Sequence, residues 1–451
     1  MSYFKLKERN TNVKTEIVAG IGTFMAIAYI HFINPAILSQ GGATGISFES
    51  IFIASCLGMG LTSIAMGLIA NAPFTLASGM GINAAIVASL IYGLGLSWQK
   101  AMGIVVIEGI LVTILVLTRL RDAISKAIPP GLKYAMGAGI GLFLCFIGVQ
   151  EAGFVKIDPY TGVSFGDLSQ PSTLLALFGL AVTIAFLVFK IRGAILYGIF
   201  LTACAGIIFK IIPLPEVFLS IPTKESFSTF FKADIAGVFT SQGMLSFLAI
   251  GTVFLLLMRD LFETLGVVFG IGGSVRENLD FTTKTTLKRI LLVDSAGSIL
   301  GGLSGAGPIT TAPESSVGVA LGGRTGIVPI TCGIMAFLCI FFSPIFAIVG
   351  GGVEVEEGIY RYPVTAPALI VAGFFITRLV TKIDFSDPEI AIPSFLTIAI
   401  MPFSYGIFYG IGFGFISYTF IKLIRGKVKE LHPAMIVISV LFVVAFLALR
   451  R

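Results

Sequence analysis

Charge is scarce in this chain. Of its 451 residues only 12% are Asp, Glu, Lys or Arg, with two histidines and a single tryptophan. A soluble globular protein draws about a quarter of its residues from the four charged types, so this surface is not built to face water. There is no H-E-x-x-H, no G-x-S-x-G elbow, no metal-ligand spacing and no Walker A loop. Those absences argue against an intramembrane hydrolase working through paired carboxylates and against a primary pump. The five cysteines (Cys56, Cys145, Cys204, Cys332 and Cys339) are odd in number, lie inside apolar runs and form no C-x-x-C. They read as reduced packing residues rather than a disulfide framework.

What is present is apolar. Hydrophobic residues make up 56% of the chain and the mean hydropathy is +0.99. Runs long enough to cross a hydrocarbon core of about 30 Å as helices recur from end to end, leaving no room for a soluble domain. The expected spans are 15–38, 50–71, 78–93, 100–119, 131–150, 172–190, 193–212, 241–270, 282–303, 313–323, 325–351, 363–382, 387–402 and 403–424, with a further apolar run at 433–449. The first fourteen residues carry Lys5, Lys7, Arg9 and Lys14, and no small-residue cleavage pattern follows, so a removable signal peptide is not expected. The net charge of +6 needs no nucleic-acid partner, because basic loops orient a protein of the inner or plasma membrane. Basic residues gather before the first span and after the fourth, sixth and eighth, which places both termini in the cytoplasm. Lys422, Arg425, Lys427 and Lys429 precede the last run and Arg450 and Arg451 follow it, so 433–449 is expected to be interfacial or re-entrant.

The two halves echo each other. Gly22-Thr23 stands twelve residues before Asn34, and Gly251-Thr252 twelve residues before Glu263; a P-x-T-x-A frame begins at Pro73 and again at Pro308. Both matches recur in order at nearly the same offset, close to half the chain, as a duplicated unit would give. An odd number of spans per unit makes the repeat inverted, the arrangement of transporters whose sites form where broken helices meet at the midplane. Spans three and ten are short and rich in Pro, Gly and Thr. In each a β-compatible stretch (Phe74-Thr75-Leu76, Ile309-Thr310-Thr311) leads to a helix start near Ser78 or Pro313. Such ends would point free N–H groups into a cavity. Thr311 to Glu314 also fits a T-x-x-E capping box.

Charges inside this apolar chain are therefore informative. "RDLFE" places Arg259, Asp260 and Glu263 within one helical neighbourhood of the eighth span. A carboxylate there can accept N–H groups of a flat heterocycle or take up a proton, whereas the plainer reading is that Arg259 neutralises Glu263. Asn83, in "GMGIN", offers an amide donor and acceptor. His31 lies one turn before Asn34 and reads as a packing residue, while Glu108, in "VVIEGI", is an intramembrane acid whose role stays open.

The ordered motifs "EIVAGIGTFMAIAYIHFINPAIL", "ASGMGINA", "RDLFETLGVVFG", "VDSAGSILGGLSGAG", "PESSVGVALGGRTG", "IPSFLTIAIMPFSYGI", "GFISYTFIKLIRGK" and "ELHPAM" cover nearly the whole chain. Together they resemble the azaguanine-resistance-type purine permeases of the nucleobase–ascorbate and nucleobase–cation symporter superfamily. The resemblance implies an all-α polytopic fold of fourteen segments as 7+7 inverted repeats, with short antiparallel strands in segments three and ten. It implies a core domain from 1–120 and 241–352 and a gate domain from 121–240 and 353–451, the latter including the C-terminal apolar helix. It further implies import of a purine base by proton symport with alternating access, often as a homodimer, with no cofactor beyond the coupling proton. By motif position Glu263 and Glu314 match the substrate-binding acids and Asn83 the polar residue of span three, with backbone contacts from Ala312 and Pro313. Proton coupling falls to Glu263 and Asp260. Two departures bear on selectivity: relatives commonly carry aspartate and Thr-Thr-Gly where this chain has Glu263-Thr264-Leu265-Gly266, and small hydroxyl residues where it has Pro308-Ile309. The alternative of related fold, an anion transporter of the sulfate or bicarbonate type, is disfavoured because two acids at the broken ends would repel an anion.

Overall fold

The computed structural model describes residues 3–118, 128–158, 160–191, 193–214, 217–239, 284–350, 352–356 and 359–448. It also describes Val253, Leu256, Leu257, Asp260, Thr264, Val267 and Val268 of the eighth span. These seven are helical and recur at the three- and four-residue spacing of one helix face; all but Val253 are buried. Arg259, Glu263 and the Gly251-Thr252 pair lie outside the described residues.

The first span is two helices. α1 (Val13–Ile27) starts where Asn12 accepts the Thr15 N–H, and after a break at Ala28 and Tyr29 the chain resumes as α2 (Ile30–Ser39). α3 (Phe48–Ala65) is capped by Ser47 and widens into a π turn over Met66–Ala70, which Asn71 ends in the left-handed region. The third span is strand β1 (Leu76–Ser78), then α4 (Met80–Ala85), which widens over Ile86–Gly93. α5 (Trp98–Thr118) and α6 (Pro130–Glu151) follow, then the hairpin β2 (Val155–Asp158) and β3 (Gly162–Phe165), then α7 (Pro171–Val188) and α8 (Ala194–Ile208).

The second half resumes at α9 (Lys284–Ser304), followed by strand β4 (Ile309–Thr311) and α10 (Ser315–Ala320). α11 (Ile327–Cys339) and α12 (Ser343–Gly350) make up the eleventh span, and the hairpin β5 (Val353–Glu356) and β6 (Ile359–Arg361) leads to α13 (Ala366–Thr377). α14 (Pro388–Phe403), α15 (Ile407–Ile424) and α16 (Pro433–Ala448) close the chain. Half-helices α4 and α10 begin with the same separation as Pro73 and Pro308, so the repeat seen in the motif is a repeat of structure.

Packing sorts these elements into two groups. α5 lies on α9, α3 on α9 and α11, α1 on α10 and α11, and α12 on α2; α6 instead packs on α13 and α14, α7 on α8 and α13, and α14 on α15. Among the described residues, six helical segments are long and apolar enough to cross a membrane, including Val13–Gly42, Trp98–Thr118 and Pro130–Glu151. Large apolar side chains such as Phe178, Val188, Phe200 and Ile208 lie exposed on α7 and α8, the surface that lipid rather than water would cover. All five cysteines are free.

A polar clasp closes one end of the first group. Glu16 is fully buried, and its carboxylate accepts the backbone N–H groups of Arg324 (2.8 Å) and Thr325 (3.1 Å) and the hydroxyls of Thr325 (2.8 Å) and Thr11 (2.9 Å). Arg9 donates to the carbonyls of Asn71 and Arg324, so the N-terminal segment ties α3 to the turn before α11.

The last apolar run does not lie across the helix ends. α16 runs antiparallel along α15: Ser439 meets Thr419 (2.7 Å) and the Phe415 carbonyl (3.0 Å), Phe442 packs on Phe415, and Phe446 reaches Tyr409. Of the two expected placements, interfacial or re-entrant, packing side by side on α15 disfavours the interfacial one. The cause of that packing is a face of Met435, Ile438 and Phe442, buried, opposite Val437, Val440 and Leu447, exposed.

Candidate functional site

Two strands at membrane depth must satisfy each other, because no water is present to do so. β1 and β4 pair antiparallel, Leu76 opposite Thr311 and Ser78 opposite Ile309. The ladder is extended by Ala312 N–H to the Thr75 carbonyl and by Gly79 N–H to the Pro308 carbonyl, each 2.9 Å. Ser315 Oγ accepts the Thr75 N–H at 2.9 Å, so the start of α10 is pinned to the other repeat. The pairing is as expected, but β1 and both half-helices begin two residues later than the composition suggests, at Leu76, Met80 and Ser315.

The capping box does not form. Glu314 makes no side-chain bond to the helix start, and the first N–H groups of α10 turn back instead: Ser315 to Ala312, Ser316 to Pro313 and Val317 to Glu314. Thr311 sits in the strand, where its N–H and hydroxyl both donate to Asp294 Oδ1, at 2.7 and 2.6 Å. Glu314 is thereby left for other work. It is half-buried, and its Oε1 accepts the hydroxyl of Tyr29 at 2.7 Å. Tyr29 stands in the break of the first span, so segments one and ten meet at this carboxylate.

Asn83 is fully buried in α4. Its amide donates to Asn34 Oδ1 and to the Ala306 carbonyl (3.1 Å), while Asn34 donates to Ser55 (2.9 Å) and to the same carbonyl (3.1 Å). The approach to β4 is so close that Gly307, at φ +70°, has no room for a side chain: a Cβ there would sit 1.8 Å from Asn83 Oδ1. Asn83 thus knots three broken segments together. Ala312 is buried with its N–H committed to Thr75, whereas Pro313 is exposed. His31 is enclosed by Phe24, Phe52 and Phe346, with Cys56 Sγ 3.6 Å from Nδ1, in keeping with the packing reading.

Behind β4 lies a second carboxylate group. Asp294 of α9 is buried and also accepts the Thr264 hydroxyl at 2.7 Å. Asp260 is fully buried and accepts the Ser298 hydroxyl at 3.2 Å; Glu108 of α5 is fully buried and meets Asp260. Sequence reasoning passed over Tyr29 and Asp294, and read Thr311 as a strand and capping residue without its partner Asp294. Tyr29 adjoins no charged motif, and Asp294 in "VDSAGS" has its partners on other elements. A cavity of about 250 Å³ opens between Ser89 and Tyr92 of the third span and Tyr405 and Tyr409 at the start of α15, bridging the two packing groups.

A half-buried carboxylate with a phenol beside it at the crossing of two strands can accept N–H groups of a planar ligand, and buried acids nearby can exchange protons. The chain is 38% identical to a putative permease of Methanocaldococcus jannaschii (99% of this chain, 98% of the relative). It is 36% identical to the guanine/hypoxanthine permease PbuG of Bacillus subtilis, end to end in both, and 33% identical to the adenine permease AdeQ of Escherichia coli (97% and 94%). In fold it resembles the transmembrane domain of the cyanobacterial bicarbonate transporter BicA, with a TM-score of 0.61 at 16% identity, over 89% of this chain and 97% of that domain. That likeness carries the architecture of 7+7 inverted repeats and nothing about substrate. Residues 14–355 match the model of a Permease family, Xan_ur_permease. The protein is therefore a multi-pass membrane transporter, and it belongs to this permease family of nucleobase–ascorbate transporters, in the azaguanine-resistance-type branch.

Proposed function

We propose that the protein imports purine nucleobases, adenine, guanine or hypoxanthine, by proton symport with alternating access. The observation that carries this reading is the Glu314 carboxylate, held by Tyr29 at the β1–β4 crossing, in a chain similar throughout its length to guanine/hypoxanthine and adenine permeases. A purine presents ring N–H groups in one plane, which a carboxylate can accept in pairs. Glu314 and Glu263 bind the base, the backbone at Ala312 and Pro313 lines it, and Asn83 sets the height of the strand pair against which it rests. Proton coupling belongs to the eighth span, to Glu263 and Asp260. An acid at the crossing disfavours an anion as cargo.

The two packing groups support a core of 1–120 and 241–352 and a gate of 121–240 and 353–451, moving past each other about the site. The N-terminus is cytoplasmic in this reading, the membrane is the inner or plasma membrane, and the assembly is a homodimer. Uptake of labelled hypoxanthine into purine-uptake-deficient cells expressing the protein tests the substrate class. Unlabelled adenine or guanine should compete and uracil should not; competition by bicarbonate or sulfate alone would refute it.

A further inference from the structure

Glu108 has the most unusual surroundings of any acid among the described residues. It is fully buried, and neither carboxyl oxygen receives a hydrogen bond from an N–H or hydroxyl group of the described residues. The titratable groups that face it there are Asp260 and Asp294, both acids. Helices α5 and α9 approach closely enough that a Cβ on Gly109 would lie 2.9 Å from the Ile299 backbone nitrogen, which shuts out solvent.

Counting donors places the charge. Among the described residues Asp294 accepts three hydrogen bonds, two from Thr311 and one from Thr264, and it also meets Asp260, so of the three acids it is the best supplied with donors. Asp260 accepts the Ser298 hydroxyl and meets both Glu108 and Asp294, while Glu108 receives no N–H or hydroxyl donor from the described residues and meets Asp260. Two carboxyl groups in contact at this depth cannot both be ionised, and a contact between them becomes favourable only when one O–H lies between them.

We propose that Glu108 and Asp260 form a proton-binding pair, sharing one exchangeable proton, and that this is the proton transported with the base. The proposal rests on the proton-symport reading and narrows it: Glu108 becomes a coupling residue beside Asp260, and Glu263 is left to the substrate. The pair communicates with the substrate site through Asp294, which binds Thr311 three residues before Glu314 and Thr264 one turn after Asp260. A shift of β4 on binding a base moves Asp294, and with it the electrostatic neighbour of the pair.

The test uses purified full-length protein in liposomes with labelled hypoxanthine. A gradient of one pH unit, inside alkaline, can sustain about a tenfold accumulation for a one-proton symporter. Wild type is expected to accumulate, and Glu108→Gln to fall to a ratio of about one, while counterflow against unlabelled base persists and loses its pH dependence. If wild type exchanges base but never accumulates it, the proton-symport reading fails. If wild type accumulates and Glu108→Gln does so equally, the pair is overturned. Infrared difference spectra on adding hypoxanthine give a second readout. A protonated-carboxyl band present in wild type should vanish in Glu108→Gln, or move in Glu108→Asp if the glutamine variant does not insert. A band unaffected by Glu108→Asp refutes the assignment.

Discussion

Replacing Thr311 by valine removes one hydroxyl from the contact that sets β4 on α9 and leaves the shape and β-branching of the side chain in place. The hydroxyl donates to Asp294 Oδ1 at 2.6 Å, and both groups are buried. A hydrogen bond to a charged acceptor contributes about 1.5–3 kcal/mol net. Asp294 keeps its bonds from the Thr311 N–H and from Thr264, so the loss belongs at the lower end, about 1.5–2 kcal/mol. Thr311→Ser is the control, since it keeps the hydroxyl and loses a methyl worth about 0.8 kcal/mol. Melting of the detergent-purified protein should put valine below serine, with the Michaelis constant for the base rising in valine alone as Glu314 loses its fixed height. Valine as stable as serine would refute the claim that Asp294 anchors the strand. Lost stability with an unchanged Michaelis constant would refute the claim that this anchor positions Glu314.

Other substitutions probe separate parts of the account. Glu314→Gln removes the charge that receives the base and should weaken competition by unlabelled purines by about ten- to a hundredfold, as loss of a charged acceptor implies; unchanged competition would assign Glu314 to structure alone. Gly307→Ala forces a left-handed alanine, about 1–2 kcal/mol, and drives a methyl into Asn83, so folded protein should be recovered poorly. Recovery and uptake equal to wild type would show that the Asn83 knot is not needed. Glu16→Gln replaces one carboxylate oxygen by an amide NH2 that faces two donors, and should lower the melting temperature through about 2–4 kcal/mol, with the Michaelis constant unchanged. A wild-type melting curve would contradict the clasp.

The broken third and tenth segments are legible in the sequence because proline, glycine and threonine crowd into spans too short for a full helix, and the matching frames at Pro73 and Pro308 show that the break is duplicated. The acid at position 314 is legible because charge is so rare here. That it does not cap α10 is not, because Thr311 faces Asp294 across the fold, and a local motif cannot report a competing partner on another helix. The same reason hides Tyr29 and Asp294. The start of each half-helix is displaced because the strand pair takes the backbone groups that local propensity assigns to the helix. Charge counting predicts an interfacial or re-entrant final helix, and only the contact with α15, made through an apolar face, separates the two in favour of a helix that runs back beside its neighbour.

The central claim is that a purine and a proton cross the membrane together, and purified protein in liposomes tests it most directly. With labelled hypoxanthine outside and an inside-alkaline pH gradient imposed, the account predicts accumulation above the external concentration that collapses on adding a protonophore. Uptake that only equilibrates, with or without the gradient, or accumulation indifferent to the protonophore, would contradict it.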